Sequence, residues 1–95
     1  MTIKLIRMWS GEDVITDVTE KTKDYYIIEN PIVAVPSPQE GRIAFAPWSP
    51  LLSKDSRIEV TKKYVVYEAN PQDDIIEQYN SMYGKISTPT KKLII

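Results

Sequence analysis

The feature that most restricts what this chain can fold into is how its β-branched and aromatic residues are parcelled out, in short runs each ended by Gly, Pro, Asp or Ser. That punctuation is what successive strands of an all-β domain require. Residues 32–35 form one of the longest wholly apolar runs, which is strand-sized and far from the ~18 residues that would span a bilayer. No membrane association is therefore expected.

Five runs stand out. Residues 3–9 and 14–20 flank Ser10-Gly11-Glu12-Asp13, in which Gly11 can take a positive φ, so they are read as a hairpin. In the returning strand Val14, Thr16 and Val18 point one way and Ile15, Asp17 and Thr19 the other, giving an apolar face and a largely wet one. Residues 21–24 form a polar connection. The run 25–35 carries Asn30-Pro31 in its middle, and because proline removes a ladder donor, a sharp bend is expected there. After the loop PSPQEG, residues 42–48 place Ile43 and Phe45 on one face and Ala44, Ala46 and Trp48 on the other, as if both faces were covered. Residues 49–57 read as a second loop, with Leu51 and Leu52 tucked into the core or a neighbour. The fifth run, 58–67, is interrupted by the turn Thr61-Lys62-Lys63.

A helix follows. Asn70 is placed as its cap, Pro71 in its first position, and Asp73 and Asp74 complement the positive end of the dipole. Ile75, Ile76, Tyr79, Met82 and Tyr83 recur on one face, and Gly84 stands where a left-handed C-cap belongs. The expected organisation is one domain: a five-stranded barrel over 1–69, an amphipathic helix over 70–84 and a tail over 85–95. With 95 residues, no cysteine and no histidine, the core is small and has no disulfide or zinc to support it, so packing against other copies is expected. A formal net charge of −1 gives no overall pull toward nucleic acid or membrane, so any nucleic-acid binding must be local. The start, MTIKLIRMWSGED, lacks the apolar segment and cleavage site of a secretory signal, which leads to an expected cytoplasmic location.

Strongly bent strands with one terminal helix describe the small SH3-like barrels, and several residues resemble the Sm and Sm-like family, including its bacterial and phage members. Met8, Gly11, Val14 and Val18 occupy the spaced positions of that family's first motif, and Asp24 stands for its loop aspartate once two extra residues are allowed. The chain departs from the pattern at Thr16, where a second glycine is common, and at Ile28, where asparagine is usual. Thr61-Lys62-Lys63 followed by Tyr64, Val65, Val66 and Tyr67 looks like the second motif, without its usual Arg-Gly. The resemblance covers roughly the first seventy residues. It implies a homo-oligomeric ring of five to seven copies, a pentamer or hexamer among them, in which residues 42–48 of one copy pair with residues 64–67 of the next. Ile43, Phe45, Trp48, Tyr64, Val65, Val66 and Tyr67 would form that interface, and loop residues on the pore side would bind single-stranded RNA. Apolar edge strands without guarding charges lead to the same expectation independently.

Lys62 and Lys63 can neutralise phosphate, against the simpler reading of solvated turn lysines. With Asp24 they are the first candidates for RNA binding. Tyr25 and Tyr26 come second, since aromatics stack bases in single-strand binders, but adjacent strand residues face opposite ways, so only one is expected to be free. Trp9 and Trp48 are read as packing residues, and Arg7, Arg42 and Arg57 as partners of nearby acids. For catalysis there is no histidine, cysteine, Gly-rich phosphate loop or metal-ligand spacing. Asp73 and Asp74 have a structural reason to sit at a helix start, and Glu12, Asp13 and Asp17 read as solvated, so no catalytic residue, metal or cofactor is expected, a hydrolase working through paired carboxylates alone being the minor alternative. The alternative to RNA binding is a structural or adaptor module, of the kind that serves phage or host assembly, making protein contacts through the same barrel.

Overall fold

The computed structural model describes residues 2–36, 43–53 and 55–84. Six antiparallel strands form one sheet: β1 (Ile3–Met8), β2 (Asp13–Lys21), β3 (Tyr25–Pro36), β4 (Ile43–Pro47), β5 (Arg57–Thr61) and β6 (Val65–Ala69), with a 3-10 turn at Lys62–Tyr64 and one helix, α1 (Asp73–Tyr83). The PSPQEG loop beyond Pro36, Arg42 and the tail over 85–95 lie outside the described residues. The strand order is β4-β3-β2-β1-β6, with β5 also on β3. The expected fifth strand is thus two strands, because the 3-10 turn swings the chain from one end of the order to the other.

β1 and β2 form the expected hairpin, in register from Ile3 opposite Asp17 to Arg7 opposite Asp13. Gly11 takes a φ of 92° in its turn, where Met8 accepts from Gly11 N–H and donates to Glu12 C=O, both at 2.9 Å. β3 is long enough to serve two partners along one edge. Its first half pairs with β5, from Tyr25 opposite Thr61 to Glu29 opposite Arg57. Its second half pairs with β4, from Ile32 opposite Pro47 to Pro36 opposite Ile43.

The change of partner falls at the bend expected from Asn30-Pro31, and Asn30 itself carries the turn with a φ of 51°. Asparagine tolerates this left-handed conformation better than most residues. Here its amide is also fixed, donating to the Asp55 carboxylate at 2.9 Å and accepting from Asp55 N–H at 3.1 Å. β2 follows the bend through two irregularities in its pairing with β3, between Ile15 and Asp17 and between Val18 and Glu20. Such bulges add twist and let a sheet curl.

The sheet does not close through strand pairing, since no ladder joins β5 to β6. Its curvature still wraps one core, in which Ile6, Met8, Val14, Val18, Ile28 and Val60 are buried together. The opposite face is covered by α1, through a second cluster of Ile15, Ile32 and Tyr79 with Ile3, Phe45 and Ile75 packed against it. This corrects the wet face expected for β2: Ile15 and Asp17 are 5% and 8% exposed because the helix lies over them. The double coverage expected for the fourth run is only partial: Phe45 packs on the helix-side cluster, but on the other face Ala44 is exposed and only Trp48, just past β4, reaches the inner core.

The helix is shorter than expected. Its N-cap is Gln72, with no side-chain cap bond, because the Asn70 side chain is engaged elsewhere, accepting from Lys4 Nζ at 2.6 Å. Gly84 ends it in an extended conformation, φ −63°, not the left-handed one. Glycine is needed there for closeness, since a Cβ would run into the carbonyl of Asn80, to which Gly84 N–H donates at 2.7 Å. Met82 remains 46% exposed, and Leu51 and Leu52, at 97% and 40%, do not tuck into this chain's core. Among the described residues no helix is long and apolar enough to cross a membrane.

Candidate functional site

The five residues expected to bind RNA come from two segments far apart in sequence, and the sheet brings them to one place. Thr22 builds the β2–β3 turn: its hydroxyl accepts from Asp24 N–H at 3.3 Å and Tyr25 N–H at 2.9 Å. Thr61 does the same for the 3-10 turn, accepting from Lys63 N–H at 3.3 Å. Both are side-chain substitutes for backbone turn bonds, which is why threonine suits these positions. The two turns are then joined directly, with Lys62 N–H donating to the Asp24 carbonyl at 2.9 Å.

Opposite orientations separate the two tyrosines as the pleat requires. Tyr26 packs against the inner core, and its phenol is raised above its ordinary value, chiefly by burial and then by the nearby carboxylate of Glu68. Tyr25 is the open one, 43% exposed. Lys62 reaches back over Tyr26, its Nζ 5.3 Å from the ring centroid, within the range in which an ammonium is attracted to a ring face. Lys63 is exposed and carries no such contact.

Charge is distributed unevenly over the described cations. Lys4 and Lys21 both meet Glu68, Lys21 at 3.0 Å. Arg7 forms a fork on Asp13, which raises its guanidinium pKa further, and Arg57 meets Glu29 at 3.1 Å. The expectation that Arg7 and Arg57 satisfy nearby acids therefore holds. Lys23, Lys62 and Lys63 are the described lysines in no ion pair, and all three lie at the joined turns. Lys23 is not singled out by sequence, although it is the immediate neighbour of Asp24.

The expected interface residues divide between the two ends of the strand order. Among the described residues β4 pairs only with β3 and β6 only with β1. On and beside β6, Tyr64, Val66 and Tyr67 are 42%, 49% and 45% exposed, while Val65 packs on the inner core. Phe45 and Trp48 are committed to the two cores, and Trp48 further donates its indole N–H to Glu12 at 3.0 Å. Ile43 stands opposite Pro36 at the far end of β4. What β4 offers to a neighbour is mainly its backbone edge.

Trp9 is not the packing residue that its type suggests: it is 68% exposed. It follows Met8, the last residue of β1, and lies in the turn, out of phase with the buried Ile6 and Met8. Between the start of α1 and the sheet, Leu5, Ile15, Ala34, Phe45 and Ile75 line a groove of about 310 Å³. Its acid, Asp13, is already held by Arg7. Among the described residues no group of three or more metal-ligating side chains comes together. No protein-family model matches the chain, and no curated protein matches it in sequence.

Proposed function

We propose that this chain is an Sm-like binding module that assembles into a homo-oligomeric ring and holds single-stranded RNA at the joined turns, with no chemistry of its own. The observation that carries the reading is that the three described lysines outside ion pairs, Lys23, Lys62 and Lys63, share the joined turns with Asp24 and the open ring of Tyr25, Lys62 leaning over the oppositely facing Tyr26. A cationic turn beside a free aromatic is what a sequence-tolerant single-strand site needs, one part for phosphate and the other for a base face. Repetition around a ring multiplies a weak site into a useful one.

The ring is supported by two edges that no described strand pairs with. Within one copy β4 and β6 stand at opposite ends of the order, so pairing β4 of one copy with β6 of the next is a head-to-tail contact, which closes into a ring when the rotation permits. The edges are lightly guarded: β4 carries Pro47 only at its end, and the one charge on β6, Glu68, is already paired with Lys4 and Lys21. A second reading, protein contact alone, is favoured by Leu51, which stands 97% exposed at the tip of the loop after β4.

Fluorescence anisotropy with labelled oligo-uridylate and oligo-adenylate at low salt separates the readings. Binding should weaken with salt, and Lys62→Ala with Lys63→Ala should lower the slope by about 0.7 for each phosphate no longer neutralised. Absence of binding, or a slope untouched by the double substitution, leaves the protein-contact reading.

A further inference from the structure

We infer that Trp9 is a second base-stacking position, on the far side of the 3-10 turn from Tyr25. The inference rests on the RNA reading above and extends it to a residue outside both turns. Trp9 is the most exposed of the described aromatics at 68%, yet its backbone is firmly held. Its N–H donates to the carbonyl of Tyr64 at 2.9 Å, and the turn that follows is closed by Met8 on both sides. A large open ring on a fixed backbone loses little freedom when a flat partner covers it.

The bond to Tyr64 is what connects Trp9 to the site. Tyr64 ends the 3-10 turn whose first residue, Lys62, is bonded to Asp24. The β2–β3 turn with Tyr25 is thus fastened to one end of the 3-10 turn and Trp9 to the other, with Lys62 and Lys63 between. Open rings therefore flank the 3-10 turn from both neighbouring segments, with Lys62 and Lys63 on the turn itself.

The acids around Trp9 define which part of the nucleotide it takes. Glu12 accepts from Ser10 at 2.9 Å and from the Trp48 indole at 3.0 Å, and Asp13 is held by Arg7. With Asp13 neutralised by Arg7, it is the carboxylate of Glu12, in no ion pair among the described residues, that disfavours phosphate beside Trp9, whereas Lys62 and Lys63 favour it along the 3-10 turn. The indole face is left for the base.

Intrinsic fluorescence tests this on the full chain, because Trp48 packs against the core and Trp9 does not. Titration with oligo-uridylate or oligo-adenylate should quench emission in the wild type. In Trp9→Leu the quench should vanish and affinity should fall about tenfold, while Trp9→Phe keeps most of the affinity. Unchanged far-ultraviolet circular dichroism and Trp48 emission would show that the variant is folded. If oligonucleotide binds with a slope set by Lys62 and Lys63 but Trp9→Leu binds equally well, the inference is overturned and the lysine site stands. If light scattering shows Trp9→Leu falling to a smaller particle, Trp9 is a subunit anchor and the inference is likewise overturned. If the wild type binds neither oligonucleotide, the RNA reading and this inference fall together.

Discussion

The hydroxyl of Tyr79 meets three backbone groups where β2 and β3 both depart from regular pairing. It accepts from Asp17 N–H at 3.2 Å and lies 3.0 Å from the carbonyls of Glu29 and Asn30, to which it donates. Thr16 donates its own hydroxyl to the Glu29 carbonyl at 2.7 Å. Bulging frees these groups from the ladder inside a buried layer, and the two side chains satisfy them. Tyr79→Phe should destabilise by about 2 kcal/mol, since it leaves the Asp17 N–H without its partner in a buried site, and urea unfolding would show it. Burial, as the leading cause, also raises the Tyr79 phenol well above its ordinary range. The unfolded chain releases that proton near pH ~10 and the folded chain only higher, so the contribution is fully present below about pH 10 and is lost as pH rises beyond it. Melting temperatures at pH 8 and pH 11 should therefore diverge more for the wild type than for Tyr79→Phe, with Tyr26, also raised, contributing equally to both.

β3 is the element on which the site depends, because its bend lets one strand carry β5 along its first half and β4 along its second. The first half places Tyr25 and Tyr26 against the end of β5, from which the 3-10 turn departs with Lys62 and Lys63. The Asn30–Asp55 pair, each at positive φ, holds the bend and the loop after β4 to one another. α1 then covers the bulged face, and its last turn requires a residue without a Cβ. Gly84→Ala should cost about 1–3 kcal/mol, because the added methyl meets backbone and cannot be relieved by a rotamer change. Thermal melts followed at a helical wavelength would register this as a lower midpoint.

For the molecule as a whole, the decisive property is a strongly curved sheet that remains open. The 3-10 turn bridges the two ends of the sheet without forming a ladder, so among the described residues β4 and β6 each keep one unpaired edge. Pairing between copies would satisfy both edges at once and cover Val66 and Tyr67. Light scattering on the purified chain should give a mass of several copies. A lysine placed on the edge should prevent the pairing while leaving the subunit folded. Val66→Lys is thus expected to sediment as a monomer with unchanged circular dichroism, and a strictly monomeric wild type would remove the ring.

How much of this could be read from the chain before folding follows from the range of the interactions involved. Strands, the Gly11 turn, the bend at Asn30-Pro31 and the existence of a helix depend on residues within a few positions of each other, and each was legible from spacing, φ preference and turn chemistry. The candidate site was legible in part: Lys62, Lys63 and Tyr25 stood out by type, yet their meeting with Asp24 relies on β3 pairing with β5, a contact between residues more than thirty positions apart. Burial of Asp17, the bound state of Asn70 and the exposure of Trp9 were equally out of reach. Each depends on which surface α1 covers and on where a distant lysine or carbonyl lies, and no local pattern encodes that. Local preference therefore chose the pieces, whereas burial and long-range pairing chose which of their side chains face water.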